Sequence, residues 1–484
     1  MSRESDEYRI EHDCLGEKKV PKNVLYGIHA VRAIENFNIS GSKISNYPNL
    51  IKAFAIVKKS AAQANLECGI LEKEKAEAII KACDDIYNQK FNDQFPIDMI
   101  QGGAGTSCNM NFNEVIANRA LQILGRELGD YKYISPNEHV NLSQSTNDVF
   151  ATSTKLCIYL ENFSLEKELE NVINALDKKA EEFKDIIKIG RTQLQDAVPM
   201  TLGQTFKAYS TSLSLAYKSI KLNKKFLLNI NLGGTAIGTG ICSPPEFRAI
   251  IMKKLKENLS PLLTEECLAQ IELENDLIYA TSDTSGYVKY SNELKLIALK
   301  LIKICNDLRL LSSGPKCGLG EINLPQLQAG SSIMPGKVNP VLPEVIGQIC
   351  YKIIGNDVTI SLGCENAQLE LNVFEPVMLY TILRSIDWLR HGLVLFVNKC
   401  INGITANIEK CKEEVYKSAA LVTAFNPYLG YEKSTEILQE ANKRNLSIID
   451  IILEKKLLTK EEIDTILKIQ NLINPVHLNI KAHI

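Results

Sequence analysis

Hydrophobic residues recur at intervals of three and four positions along most of the chain, which is the spacing of one face of an α-helix. This pattern predicts helical structure over residues 50–88 and again over residues 380–397. The most regular segments, residues 165–183 and 297–311, repeat apolar residues at close to heptad spacing. Long stretches with few glycines or prolines inside are typical of a bundle of long helices. We therefore predict an all-α fold built around a central long-helix bundle.

The regularity of this pattern changes twice along the chain. Residues 1–50 are polar and have no regular spacing, so we expect irregular structure there. After about residue 400 the elements become shorter, as in a small separate domain. A chain of 484 residues is too long for one compact core. We predict an N-terminal domain (residues 1–144), a central helical-bundle domain (residues 145–400) and a small C-terminal domain (residues 401–484).

Composition excludes several classes of partner. Apolar residues make up 45% of the chain and charged residues 23%, as in ordinary soluble globular proteins. A net charge of -2 gives no long-range attraction to nucleic acid or to an anionic membrane, so we expect neither as a partner. Residues 1–20 are rich in charge and lack an apolar core, so we expect no signal peptide.

The distribution of cysteine and histidine argues against a metal site. The chain has 13 cysteines and 6 histidines, with no Cys-x-x-Cys pair and no cluster of the two residue types. Cysteines scattered in this way usually serve as small buried residues in a reducing compartment, so we expect a cytoplasmic protein without disulfides. Cys108 and Cys317 lie close to glycine-containing loops, and we predict that both are buried.

The most informative break in the helical pattern is the loop GSSIMPGKVNP at residues 330–340. Its glycines and prolines exclude a continuous helix. Its hydroxyl, ammonium and amide groups are those that bind a carboxylate, which predicts a binding or catalytic loop. A phosphate-binding P-loop is excluded, because five residues separate Gly330 from Gly336 and a valine follows the lysine. The alternative is a solvated surface turn, which would expose Ile333 and Met334 without reason.

Three further polar breaks carry hydroxyl and amide groups: residues 101–107 (QGGAGTS), 144–148 (QSTND) and 190–199 (GRTQLQDAVP). The first precedes a helical pattern, so Thr106 is predicted near a helix N-terminus, where free N–H groups favour an anion. A simple helix cap accounts for it equally well. A glycine-rich segment at residues 233–240 has neither a P-loop nor a Gly-x-Gly-x-x-Gly core, so it gives little support for nucleotide binding.

These breaks together match one family. The loop at residues 330–340 resembles the Gly-Ser-Ser-x-Met-Pro-x-Lys-x-Asn signature of the fumarase/aspartase superfamily, and the other breaks resemble its remaining site segments in the same order. Three features are similar to the aspartase branch of that superfamily. They are the YGIH, RA and ENF groups within residues 26–37, Thr146 in place of the second serine of fumarases, and Gln193 in place of their histidine. A fumarase would lose the histidine that its water chemistry uses.

The resemblance implies the reversible anti elimination of ammonia from L-aspartate to give fumarate. The difficult step is removal of a proton from Cβ, which places charge on the adjacent carboxylate as an enediolate. The base in the family is the first serine of the signature, so Ser331 is the candidate catalytic base. A serine needs a field of donors and cations to act as an oxyanion, and we expect loop N–H groups and Lys337 to supply it.

The resemblance also assigns most substrate contacts. The α-carboxylate would be fixed by Lys337 and Asn339. The donors to the developing enediolate would be Thr106, Ser145, Thr146 and Ser332. All four are neutral, which suits selective stabilisation of growing charge over tight binding of the ground state.

The amino group would be held by Asn147, Thr192 and Gln193. Because ammonia leaves from its ammonium form, no strong general acid is required, which fits the absence of a histidine at position 193. Two roles stay open. Glu344 matches the carboxylate that pairs with that histidine in fumarases, so its role here is either structural or catalytic. His139 resembles part of a second, non-catalytic anion site, with a solvated or core histidine as the alternative.

The family fold implies three domains, with the long helices forming a twenty-helix core in a homotetramer whose active sites are shared between subunits. It implies no required cofactor and leaves open activation by a divalent cation such as Mg²⁺. Two alternative functions remain: a class II fumarase (fumarate hydratase), and a structural homologue without activity. The second is disfavoured because drift would damage the site residues, which are intact: Ser331, Lys337, Asn339 and Asn147.

Overall fold

The computed structural model describes residues 8–482. Residues 1–7 and 483–484 lie outside the described part, and with them the start of the segment for which no signal peptide is expected. The described chain is mainly helical, which confirms the predicted fold class. Its α-helices, in chain order, are α1 (Ile28–Asn36), α2 (Pro48–Glu67), α3 (Lys73–Tyr87), α4 (Thr106–Ile123), α5 (Thr146–Glu182), α6 (Leu202–Asn223), α7 (Phe247–Leu259), α8 (Glu265–Ala269), α9 (Leu277–Ser282), α10 (Ser285–Leu311), α11 (Val341–Glu365), α12 (Glu375–Lys399), α13 (Ile408–Lys417), α14 (Asn426–Leu429), α15 (Tyr431–Arg444), α16 (Ile448–Glu454), α17 (Lys460–Ile466) and α18 (Ile469–Ile473).

The strands are short and pair two by two. In chain order they are β1 (Tyr8–Asp13), β2 (Gly16–Pro21), β3 (Ile187–Thr192), β4 (Gln195–Thr201), β5 (Asn229–Ile230), β6 (Glu272–Leu273), β7 (Ile322–Asn323) and β8 (Thr405–Ala406). The pairs β1–β2, β3–β4 and β7–β8 are antiparallel, and β5–β6 is parallel. None of these pairs extends into a larger sheet. The strands described here therefore form isolated two-stranded pairs within a mainly helical protein.

The chain divides into two compact units according to its internal contacts. The first unit comprises the described residues up to 166 together with residues 218–296 and 351–390. The second comprises residues 167–217, 297–350 and the described residues from 391 onward. The helices that contribute residues to both units are α5, α6, α10, α11 and α12. This division does not test the three domains predicted from the sequence, which stay a prediction.

The core of the first unit is built on α2. Small and branched apolar residues occupy almost every face of this 20-residue helix, so it is covered on several sides, by α3 and α7 among others. Phe54 of α2 stacks on Phe112 of α4 with 4.2 Å between ring centroids. Phe95 packs on Phe112 with centroids 4.3 Å apart. This packing fixes α4, whose first turn carries Thr106.

The core of the second unit joins the β3–β4 hairpin to the C-terminal helices. Ile187 and Ile189 of β3 lie in the same buried cluster as Val415 of α13, Phe425 and Ile451 of α16. The two isoleucines stand at alternate positions, the spacing that places side chains on one face of a strand. The hairpin is thus held at its base by the core, whereas its tip is exposed.

The prediction of an irregular N-terminal segment is wrong. Strands β1 and β2 form an antiparallel hairpin in register from the Tyr8–Pro21 pair to the Asp13–Gly16 pair. Helix α1 follows and was also not predicted. The hairpin gave no clear signal because Tyr8 and Ile10 are exposed, so the strands lack the strict apolar and polar alternation of a half-buried sheet.

The helical pattern over residues 50–88 corresponds to two helices. Helix α2 ends at Glu67 and α3 begins at Lys73. Gly69 takes a φ of 73° just after the end of α2, the left-handed conformation in which glycine commonly ends a helix. The hydrophobic spacing continues across this break because both helices face the same core.

All 13 cysteines are free thiols. Cys108 is buried, as predicted. The same prediction is wrong for Cys317, which is exposed in the glycine-rich connection between α10 and β7, where no apolar face covers it. Within residues 8–482 no helix is both long enough and apolar enough to span a membrane.

Candidate active site

The predicted catalytic base and the residues predicted to bind substrate fall in both units of the chain. The first unit contains Thr106, Ser145, Thr146 and Asn147, and the second contains Thr192, Gln193, Ser331, Ser332, Lys337 and Asn339. Each set can be described within its own unit. The first set lies on the first turns of two helices, and the second set lies on a hairpin tip and a loop.

Thr106 is the first residue of α4, which confirms its predicted place at a helix N-terminus. Gly105 before it has a φ of 87°, and a Cβ at that position would lie 2.4 Å from the ring of Phe150. Only glycine satisfies both constraints. Gln101 Oε1 accepts the backbone N–H of Cys108 at 2.9 Å and so caps the turn. The Thr106 side chain is exposed at the positive end of the helix dipole, where an anion is favoured.

Ser145 caps the N-terminus of α5. Its Oγ accepts the N–H of Asn147 at 3.3 Å, and its own N–H donates to Asp148 Oδ1 at 2.9 Å, a reciprocal capping arrangement. The cap and the predicted site role thus coincide in one residue. Asp148 is fully buried, and its Oδ2 accepts the N–H groups of Gly233 and Thr235. Burial raises the pKa of Asp148, and these N–H groups oppose that rise.

Asn147 ties the start of α5 to the glycine-rich segment at residues 233–240. Its Nδ2 donates to the carbonyl oxygen of Ala236 at 2.8 Å. Its own carbonyl oxygen accepts from Asn231 Nδ2 at 3.1 Å. A Cβ at Gly238 would lie 2.4 Å from the backbone of α9, so no residue other than glycine fits at position 238. The segment that gave little support for nucleotide binding therefore supports the first turn of α5.

Thr146 is nearly buried, and its Oγ1 accepts a hydrogen bond from Asn109 Nδ2 at 3.0 Å. Because Asn109 lies one turn into α4, this bond joins the first turns of α4 and α5. Asn109 Nδ2 also donates to Asn141 Oδ1 at 3.1 Å. The same Asn141 oxygen accepts from Asn113 Nδ2 at 3.1 Å and from Lys58 Nζ at 3.0 Å. The first turn of α4, which carries Thr106, is thus joined to that of α5 through a buried polar network that includes Thr146.

Lys58 lies at the far end of this network from Thr146. It is fully buried on α2, and its ammonium group also donates to Gln144 Oε1 at 3.0 Å. Burial lowers the pKa of Lys58 to about 7, although the negative charge of Asp148 opposes this effect. Its direct hydrogen-bond acceptors are neutral amide oxygens. The ammonium form is therefore destabilised, because it loses its hydration without gaining a charged partner in direct contact.

Thr192 and Gln193 lie at the tip of the β3–β4 hairpin. Thr192 pairs with Gln195, which leaves Gln193 and Leu194 as a two-residue turn with φ angles of 56° and 62°. Residues other than glycine, asparagine and aspartate are strained there by roughly 1–2 kcal/mol each. The sequence indicated only a polar break, because this turn lacks the Asn-Gly or Asp-Gly pair that marks a hairpin. Both predicted side chains are exposed.

Ion pairs hold the base of this hairpin. Arg191 pairs with Glu321, and it also lies 3.0 Å from Glu414. Lys188 Nζ lies 3.1 Å from Glu321 Oε2. Glu321 is completely buried, so two cations offset the desolvation of one carboxylate. The hairpin therefore presents its tip from a fixed base.

The loop at residues 330–340 is closed at its neck. The N–H of Gly330 donates to the carbonyl oxygen of Lys337 at 2.8 Å, and Asn339 Nδ2 donates to the carbonyl oxygen of Gly330 at 2.8 Å. A Cβ at Gly330 would lie 2.8 Å from the Lys337 carbonyl oxygen, so only glycine fits. Asn339 thus shapes the loop with one N–H and keeps a second N–H of the same amide for a ligand.

Two backbone N–H groups of the loop converge on Ser331. Its Oγ accepts the N–H of Met334 at 2.9 Å and that of Ile333 at 3.2 Å. The side chains of Ser332 and Lys337 are exposed beside it. Ile333 is 84% exposed, as it would also be in a surface turn. The two N–H groups directed at the Ser331 hydroxyl oxygen are the donors that a serine base needs.

Comparison with known proteins decides the family. Residues 16–355 match a family described as lyase, and residues 421–474 match a family described as fumarase C C-terminus. The first match alone covers more than half of the 484 residues. The chain belongs to the fumarase/aspartase superfamily.

Individual members of the superfamily are similar over nearly the whole chain. An aspartate ammonia-lyase from Helicobacter pylori is 50% identical over 467 residues, covering 96% of this chain and 98% of the relative. The solved fumarate lyase:delta crystallin from Brucella melitensis, bound to cobalt, is 43% identical with a TM-score of 0.92, covering 97% of this chain and 100% of that one. A class II fumarase from Schistosoma mansoni is 34% identical with a TM-score of 0.88, covering 96% and 99%. The helical fold of the superfamily is thereby confirmed.

The roles of His139 and Glu344 were left open by the sequence, and the structure shows the local surroundings of both. His139 lies on a π-helical turn, Pro136–Val140, and its Nδ1 accepts the N–H of Ser135 at 2.9 Å. Lys75 Nζ lies 3.3 Å from Nε2, so donors face both ring nitrogens. Burial, with the nearby charge of Lys75, lowers the pKa of His139. Glu344 lies in the first turn of α11, where a carboxylate is favoured by the helix dipole.

Sequence reasoning missed the residues that support the site. Lys58 stands in an apolar helical pattern beside a second lysine, where it suggests a solvated side chain. Asn109 and Asn141 lie in polar surroundings that any loop or helix surface could show. Their importance depends on burial and on pairing over long sequence distances, which no local pattern in the chain reports. Within residues 8–482 no group of three or more histidine, cysteine, aspartate or glutamate residues is placed to hold a metal ion.

Proposed function

We propose that the protein is an aspartate ammonia-lyase that converts L-aspartate reversibly to fumarate and ammonia. The high identity to an enzyme of that name over nearly full length supports this function over that of a fumarase. Gln193 supports it independently, because a glutamine cannot serve the acid–base role of the histidine that fumarases carry there.

The observation that carries the proposed mechanism is the pair of backbone N–H groups on Ser331 Oγ. Two donors stabilise the negative oxygen that remains when the hydroxyl group loses its proton. The oxyanion then removes a proton from Cβ of L-aspartate, and the electron pair of that C–H bond moves onto the β-carboxylate as an enediolate. The proton forms a new O–H bond on Ser331, which becomes neutral and returns the proton to solvent before the next turnover.

The enediolate collapses in the second step. Its electron pair returns to form the Cα–Cβ double bond, and the Cα–N bond breaks, so that the ammonium group leaves as neutral ammonia. The proposed donors that stabilise the enediolate are the hydroxyl groups of Thr106, Ser145, Thr146 and Ser332. The exposed position of Thr106 at the N-terminus of α4 supports this role, because the helix dipole favours an anion there. At Ser145 the hydroxyl oxygen already accepts the N–H of Asn147, which leaves the hydroxyl proton to be donated to the enediolate.

The remaining substrate contacts are proposed from chemistry. Lys337 supplies a cation and Asn339 an amide N–H to the α-carboxylate. The amino group is held by Asn147, Thr192 and Gln193. No side chain is required as a strong general acid, since ammonia leaves from its charged form.

We propose that the reaction needs no cofactor, since each step above uses only side-chain and backbone groups of the chain. Activation by a divalent cation such as Mg²⁺ is tested by measuring the rate with added Mg²⁺ and again with a chelator. A change in rate would add a metal effect to the scheme without replacing Ser331.

We further propose a cytoplasmic homotetramer in which the long helices form a common core. In that assembly separated segments of the chain meet between subunits, so one site is completed by several copies. Light scattering should give four times the mass of the chain. Mixing an inactive Ser331→Ala variant with an inactive Asn147→Ala variant should restore part of the activity, whereas no recovery would contradict shared sites.

The base is tested by comparing two adjacent serines. Ser331→Ala should lower kcat by several orders of magnitude, because it removes the base, whereas Ser332→Ala removes one donor and should cost about 10²–10³-fold. Steady-state fumarate formation measures both. Lys337→Ala should chiefly raise KM for L-aspartate. Equal losses for the two serine variants, or comparable turnover by Ser331→Ala, would exclude Ser331 as the base.

A further inference from the structure

A buried chain of hydrogen bonds runs from Lys58 to the hydroxyl group of Thr146. We propose that Lys58, Asn141 and Asn109 orient this hydroxyl group so that its proton points toward the substrate carboxylate. Asn109 is then a positioning residue that acts through Thr146. The inference rests on the proposed function, since it concerns how one of the proposed enediolate donors is kept in its donating state.

The direction of the hydrogen-bond chain is fixed at Asn141. Its Nδ2 faces the backbone carbonyl oxygen of Gln144 at 3.2 Å, which can only accept, so its Oδ1 is turned toward Lys58 Nζ at 3.0 Å. Asn113 Nδ2 adds a further donor to Asn141 Oδ1 at 3.1 Å. Rotating the Asn141 amide by half a turn would place its NH₂ group among these donors. The oxygen of Asn141 therefore faces the network.

The orientation of Asn109 follows from that of Asn141. Asn109 Nδ2 lies 3.1 Å from Asn141 Oδ1, so this contact is a hydrogen bond only with the nitrogen in that place. The Asn109 oxygen does not set the orientation, because Oδ1 is buried and has no hydrogen-bond partner among the described residues. The second N–H of the same amide then donates to Thr146 Oγ1 at 3.0 Å.

These contacts leave the hydroxyl group of Thr146 as a hydrogen-bond donor. Thr146 Oγ1 already accepts from Asn109, so its own proton must be donated elsewhere. Within the described part of the chain this proton has no acceptor. A carboxylate of the substrate would provide one. A donor aligned before the enediolate forms needs no reorganisation in the transition state, which is where such groups contribute most.

The decisive variant is Asn109→Asp, which keeps the shape of the side chain. A carboxylate cannot donate to Thr146 Oγ1 and instead accepts its proton, so the hydroxyl group is turned away from the substrate. We expect kcat to fall by about 10²–10³-fold, close to the loss in Thr146→Val, with KM changed by only a few fold. Asn109→Ala frees the hydroxyl group to rotate among three staggered positions and should cost only about threefold to tenfold.

Asn111→Asp is the matched control. Asn111 is equally buried on the same helix, but its Nδ2 donates to the carbonyl oxygen of Gln94 and takes no part in the hydrogen bonds from Lys58 to Thr146. This variant reports the effect of a buried carboxylate on α4 alone, and its kcat should stay within about threefold of the wild type. Circular dichroism and gel filtration of each variant show whether it is folded and assembled.

The double variant Asn109→Asp with Thr146→Val separates positioning from a general structural role. If Asn109 acts through Thr146, the double variant should have the kcat of Thr146→Val alone, since no hydroxyl group remains to be misdirected. Multiplicative losses in the double variant would overturn the inference, as would a kcat for Asn109→Asp no lower than that for Asn109→Ala. A wild-type protein that makes no fumarate from L-aspartate would overturn the proposed function itself, and the inference with it.

Discussion

The buried Lys58 makes a quantitative prediction about stability and pH. Burial holds its pKa at about 7 in the folded protein, against 10.5 in an unfolded chain. Between these values the unfolded chain binds the proton and the folded protein does not, so unfolding becomes less favourable as the pH rises. The gap between the two pKa values corresponds to about 5 kcal/mol. From pH 7 to pH 10 the contribution of Lys58 should rise by about 3–4 kcal/mol, an average of roughly 1 kcal/mol per pH unit.

The prediction is checked by comparing the wild type with Lys58→Met in urea at several pH values between 7 and 10. Other groups that titrate in this range cancel in the difference between the two free energies of unfolding. That difference should grow in favour of the wild type as the pH rises. Lys59→Met is the control, because Lys59 is only partly buried and pairs with Asp84 at 2.7 Å, so its difference should stay level. If the difference in free energy of unfolding between the wild type and Lys58→Met does not change with pH, the placement of an uncompensated lysine in this core is refuted.

Two further variants test the supports of the site. Glu114 is buried, and its two oxygens accept three backbone N–H groups at the start of α1 and contact one imidazole. Glu114→Gln would turn an NH₂ group toward these donors, so urea unfolding should show a loss of about 3–5 kcal/mol, whereas a loss below 1 kcal/mol would contradict the buried placement. Gly330→Ala would press a Cβ against the Lys337 carbonyl oxygen and open the loop neck. Fumarate formation should fall at least about tenfold while the free energy of unfolding changes by less than about 0.5 kcal/mol, because the loop is exposed, and full activity would contradict the tight neck.

The long helices could be predicted from the sequence because each follows a single period over many turns. Helix α5 covers the first near-heptad segment up to residue 182, α10 contains the second, and α12 contains the segment at residues 380–397. The short elements could not be predicted in the same way. Strands β1 and β2 have too few buried positions to show a period, and the β3–β4 turn uses Gln193 and Leu194 where a turn signal would be glycine or asparagine.

The site was predictable to the extent that its groups lie in short polar breaks. Thr106 and Ser145 were expected near helix starts or in loops, and both lie at helix N-termini. The donors that converge on Ser331 were expected only as unspecified loop N–H groups. The contacts behind Thr146 had no signal, because they join residues of α2, α4 and the turn before α5 that are far apart in sequence. Such contacts become visible only when the fold brings buried polar groups together.

The proposed reaction is the removal of ammonia from L-aspartate. Its most direct test is to incubate the purified wild-type protein separately with L-aspartate and with L-malate and to quantify fumarate and ammonia in each reaction. We predict fumarate and ammonia in equal amounts from L-aspartate, and little or no fumarate from L-malate. Faster fumarate formation from L-malate, or no turnover of L-aspartate by the folded and assembled protein, would contradict the account.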